Sequence, residues 1–100
     1  MPREERSSRA FVRFASDVRE GLAQVIGSVT ADVMMAHILR TLKRDDIGEF
    51  TRQFEEVASS FFGSSSTALN AEVARWVAKK SGISPTVLTL RDVAKGYRER

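Results

Sequence analysis

Three groups of side chains in this 100-residue chain have types and spacings that could do chemistry. Asp45, Asp46 and Glu49 form the one tight carboxylate cluster, and such a cluster can hold a hard cation such as magnesium or share acid and base work. The same acids also suit the first turn of a helix, where the dipole favours negative charge, and that reading is the stronger. Ser64, Ser65 and Ser66 follow Gly63 and suggest a nucleophile or a phosphate-cradling loop. A P-loop requires a lysine that does not follow here, and a serine nucleophile requires a base. His37 is the only histidine, and beside Ile38 it reads as a core or boundary residue. With no cysteine, disulfides and thiolate metal sites are excluded, and a lone histidine excludes a histidine-rich cluster. No catalytic residue, metal or cofactor is assigned, which points to a non-catalytic protein.

Charge says more than any of these groups. The formal net charge is +3, distributed as four Arg against two Glu in residues 1–13, five bases against nine acids in 14–74, and seven bases against two acids in 75–100. A basic end on an acidic body suits an anionic partner, either nucleic acid or an acidic protein surface. No apolar run reaches the roughly 20 residues of a membrane span, and "MPREERSSR" lacks the apolar segment of a secretion signal. A soluble, cytoplasmic protein is expected.

The elements that must carry these residues are helical. Residues 1–9 read as a flexible basic tail, and 10–98 as one domain. Phe11, Ala15, Val18, Leu22, Val25 and Val29 recur at alternating intervals of 4 and 3, which puts them on one face of a first helix over 10–26. That seam either packs on the chain's own later helices, the favoured reading, or pairs with a twin helix in a homodimer. "GSVTAD" breaks the run, with Ser28 or Thr30 able to cap a second helix over 30–43. Asp45 or Asp46 caps a third over 47–62, carrying Ile47, Phe50, Phe54, Val57 and Phe61, and Gly63 ends it. A fourth spans 68–81 and a fifth 85–97. The fold class is all-α: a single compact domain of four to five helices. Its expected core holds Phe14, Val18, Leu22, Val33, Ile38, Phe50, Phe54, Val57, Leu69, Val73, Trp76 and Val77. Met34 and Met35 read as core filler. Of Phe61 and Phe62, one can face that core while the other marks a contact surface.

The stretch "WVAKKSGISPTVL", Trp76 to Leu88, resembles the bihelical core of bacterial and archaeal helix-turn-helix regulators. Ala78, Gly82, Ile83, Ser84, Pro85 and Leu88 match that pattern in order, and each also has a local reason. Ala78 lets two helices approach, Gly82 turns the chain, Ile83 plugs the turn, Ser84 and Pro85 restart a helix, and Leu88 anchors it. The resemblance implies a DNA-binding transcription regulator whose second helix lies in the major groove. Thr86 and Thr89 would then face the bases, while Arg75, Lys79, Lys80, Arg91, Lys95 and Arg98 would contact phosphates. Two features of the residues favour a different packing. Arg91 stands where the family has an apolar residue, and Val87, Leu90, Ala94 and Tyr97 form a competing apolar stripe. Thr89 with Asp92 also makes a capping box that starts the helix at Leu90. DNA binding through the basic C-terminal quarter is the leading expectation, and a helical protein-interaction or assembly module is the alternative.

Overall fold

Three glycines set the corners of the chain. Gly27, Gly63 and Gly82 have φ of +88°, +58° and +74°, a region that side chains with a Cβ avoid, and each sits where one helix stops. The computed structural model describes the backbone of residues 2–84 and 89–99, with side chains for 9–84 and 89–97. It contains α1 (Pro2–Ile26), α2 (Ser28–Thr41), α3 (Ile47–Phe62), a 3-10 turn (Gly63–Ser65), α4 (Ser66–Ser81) and α5 (Leu90–Glu99). The fold is all-α, with no strand among the described residues. No helix among them is long and apolar enough to cross a membrane.

The ends follow from local hydrogen bonding, and this moves several expected boundaries. Helical backbone begins at Pro2, so residues 2–9, read from composition as a tail, continue into α1. The Gly27 N–H closes α1 on the Ala23 carbonyl, and the Gly27 carbonyl accepts the first bond of α2 from Ala31, both at 3.0 Å. One residue therefore serves both helices, and α2 starts at Ser28 rather than at Thr30. Asp46 caps α3 as expected, its carboxylate accepting from the Glu49 N–H at 2.9 Å. After α4, the Gly82 and Ile83 N–H groups both return to the Ala78 carbonyl. Residues 85–88 lie outside the described residues. The fifth helix starts at Leu90, five positions later than Pro85, because the Thr89–Asp92 capping box forms: the Asp92 N–H reaches Thr89 Oγ1 and the Thr89 N–H reaches Asp92 Oδ2, each at 3.3 Å. A tertiary bond secures that start, with the Leu90 N–H donating to Asn70 Oδ1 of α4 at 2.8 Å.

Packing centres on Phe14 of α1, which has no exposed surface. Its ring meets Phe50 of α3 edge-on at 5.6 Å and Tyr97 of α5 at 4.9 Å, so three helices converge on one aromatic cluster. Val18, Leu22, Met34, Ile38, Phe54, Val73, Val77, Leu90 and Val93 are also fully buried. Met35 is buried too, so both central methionines fill core. The seam of α1 divides after Leu22. Phe11, Val18 and Leu22 are buried within the chain, whereas Val25 and Val29 are exposed. The chain's own helices thus cover the Phe11, Val18 and Leu22 part of the face that a homodimer through Phe11–Val29 would use. Three expected core residues also differ: Val33 is exposed on the outer side of α2, while Val57 and Trp76 are half-buried at the core's edge.

Candidate functional site: a groove between α1 and α4

On α4, Glu72, Arg75, Trp76 and Lys79 share one face, as intervals of 3 and 4 require. The end of α1 adds Gln24 and Val25, and the turn after α4 adds Gly82 and Ile83. Together they line an open groove of about 750 Å³. Trp76, Val25 and Ile83 are the apolar part of this lining, its floor, and Arg75 and Lys79 are its exposed cations.

Two glycines allow this floor. A Cβ at Gly21 of α1 would come within 3.3 Å of Trp76 Cε3, so its absence lets the indole lie against α1. A Cβ at Gly96 of α5 would come within 2.6 Å of Ile83 Cδ1, so Ile83 rests on bare helix backbone. Glycine inside a helix costs about 1 kcal/mol relative to alanine, and here close approach is what that cost permits.

Electrostatics divide the cations between groove and scaffold. Lys80 Nζ bridges Asp17 Oδ1, at 3.1 Å, and Glu20 on α1, and it lies 5.3 Å from the Trp76 ring centroid. The hydrogen bonds to Glu20 and then Asp17 hold the Lys80 ammonium above its ordinary pKa. Asp17 is itself buried and also accepts from the Tyr97 hydroxyl. Burial first, and the Asp17 hydrogen bond second, push the Tyr97 phenol well above the usual range. Tyr97, Asp17, Lys80 and Glu20 thus tie α5, α1 and α4 together beside the groove. Arg75 pairs with Glu72 at 2.5 Å, one turn back on its own helix. Lys79 is exposed and makes no ion pair among the described residues. The groove's charged lining therefore carries two cations and one carboxylate.

The described residues assigned to DNA contact different elements. Arg75 and Lys79 flank the groove, and Lys80 turns toward α1. Arg91 reaches the other way, to Glu55 of α3 at 2.7 Å. Thr89 is engaged as the helix cap, and Lys95 is exposed on α5. Thr86 and the Arg98 side chain lie outside the described residues. The acidic cluster serves the fold: Asp46 caps α3, and Glu49 Oε1 accepts from Arg52 at 3.4 Å. Gly63, Ser64 and Ser65 form the 3-10 turn, and Ser66 opens α4. Of the two readings of His37, core or boundary, the core one fails, because it is exposed on α2's outer side, where its ring stacks edge-on with Phe61 at 5.2 Å. Phe62 turns toward the core while Phe61 stays 40% exposed, so that pair divides as its position requires.

Asp17 and Gly21 escaped functional notice in the sequence, while Val25 was read only into the α1 seam and Ile83 only into the turn after the fourth helix. Gly21 alone carried a readable signal, a glycine within a strong helical stripe. Compared with models of protein families, with curated proteins and with solved structures, the chain matches none.

Proposed function

We propose that this chain is a helical protein-interaction module that receives an amphipathic partner helix, with an apolar anchor and acidic flanks, in the α1/α4 groove. The observation that carries this reading is an apolar floor of Trp76, Val25 and Ile83 beside Lys79, the one lining cation that makes no ion pair among the described residues, since Arg75 is paired with Glu72. Helix-in-groove docking uses such a floor for anchor side chains and such a cation to set orientation. A duplex gains little from an apolar concave floor, since its affinity comes from phosphates. Three cations that the helix-turn-helix resemblance assigns to phosphates, Arg75, Lys80 and Arg91, already meet carboxylates.

Trp76 is the sole tryptophan, so its emission reports on the groove. Titration with a 16-residue helical peptide bearing a leucine stripe and glutamate flanks is expected to shift that emission saturably. The same stripe with lysine flanks is expected to bind about tenfold more weakly, the effect of placing like charges together. An equal response to both peptides, or none to either, would remove the support for a cationic docking groove.

Duplex binding stands as the second reading, favoured by exposed Lys79 and Lys95 within a quarter of the chain that holds seven bases and two acids. Fluorescence anisotropy on a mixed-sequence duplex tests it. Affinity that falls with salt at a slope implying about four phosphates or more, and that Lys79→Glu/Lys95→Glu abolishes, would favour it over the groove.

A further inference from the structure

A second surface, independent of the groove, is apolar where solvent should be. Helix α2 buries Ala31, Met34, Met35 and Ile38 inward, yet its opposite strip is Val29, Val33, Ala36 and Arg40. Val29 is 77% exposed and Val33 47%, and Leu39 at 45% flanks them. On the other flank His37 carries the ring of Phe61. A helix apolar on both sides is ordinarily covered on both, and contiguous exposed apolar surface marks an interaction site.

The charges on this strip identify what covers it. Asp32 lies four residues before Ala36 and Arg40 four residues after it. We infer that α2 pairs antiparallel with α2 of a second copy of this chain, about a two-fold axis passing beside Ala36. In that arrangement Asp32 of each copy meets Arg40 of the other, Val33 meets Leu39, and the small Ala36 allows the helices to approach closely at the centre. A parallel pairing would set Asp32 against Asp32 and Arg40 against Arg40, and like charges repel. Arg19 of α1 already holds Asp32 at the edge of the strip, at 2.7 Å and with both groups exposed. Asp32 thus stands between Arg19 of its own chain and Arg40 of the other.

The test uses the full chain, whose lack of cysteine makes introduced thiols unambiguous. Under mild oxidation Ala36→Cys is expected to form a disulfide-linked dimer rapidly, while Val29→Cys, away from the axis, does not. In sedimentation equilibrium the wild type is expected to dimerise, and Val33→Glu, a surface change that leaves the helical circular dichroism intact, is expected to weaken the dimer about tenfold or more. Asp32→Arg and Arg40→Asp are each expected to weaken it, and the double exchange to restore it. A wild type that stays monomeric at every concentration overturns the inference and assigns the strip to a different protein. Val29→Cys cross-linking as fast as Ala36→Cys overturns the antiparallel register, as does a double exchange no tighter than the singles.

Discussion

Removing one hydroxyl tests the network that joins α5 to α1 and α4. In Tyr97→Phe the ring stays against Phe14, but the buried Asp17 loses a donor and keeps Lys80. A hydrogen bond to a charged group contributes about 1.5–3 kcal/mol, and because Lys80 still compensates Asp17 the lower end applies, about 1.5 kcal/mol at pH 7. For a domain of this size that lowers Tm by roughly 6–12 °C. The pH dependence gives the sign. The phenol's pKa is raised on folding, so below its unfolded value of about 10 the wild-type hydroxyl is neutral in both states and its contribution is fully present. Above that pH the unfolded chain ionises first, and the wild type loses about 1.4 kcal/mol per pH unit that the phenylalanine variant does not lose. The stability gap is therefore expected to close near pH 11. Lys80, also raised, is common to both proteins and cancels in the comparison. Urea unfolding of both chains from pH 7 to 11, followed by far-ultraviolet circular dichroism, measures the gap. A gap under about 0.5 kcal/mol at pH 7, or one that persists unchanged at pH 11, would refute a buried Tyr97–Asp17 bond.

Other consequences are equally specific. Thr89→Ala removes the cap of α5 and is expected to cost about 1 kcal/mol, with faster amide exchange in the first turn from Leu90; an unchanged exchange rate would contradict the capping box. Asp46→Ala is expected to cost about the same in α3, read as a lower urea midpoint. Gly96→Ala gains up to about 1 kcal/mol of helix propensity but displaces Ile83, so stability is expected to stay near wild type while peptide affinity at the groove falls. Calorimetry with the acidic-flanked peptide separates the two effects.

Much of the fold was legible because each of the first four helices buries a single stripe. Phe11, Phe14, Val18 and Leu22 announce α1, and Phe50 with Phe54 announces α3, since no other element fits intervals of 3 and 4. The last helix was ambiguous for a physical reason. Ser84–Pro85 and Thr89–Asp92 are both competent starts, and the Asn70 bond that secures Leu90 comes from 20 residues away, where local pattern cannot see it. Charge was legible in amount but not in destination. Lys80 and Arg91 read as free cations because their partners, Glu20 and Glu55, are 60 and 36 residues distant. The groove stayed hidden because its floor needs a helix end, a helix face and a turn to meet, and Trp76 looked like ordinary core until Gly21 placed it at the edge.

The most direct test of the groove as the working surface is selection of a displayed library of helical 16-residue peptides against the wild type and, separately, against Trp76→Asp/Lys79→Glu. A docking groove is expected to enrich, on the wild type alone, sequences with an apolar stripe at i, i+3, i+4 and i+7 and net negative charge. Enrichment of the same sequences on both proteins, or of none on either, would contradict it.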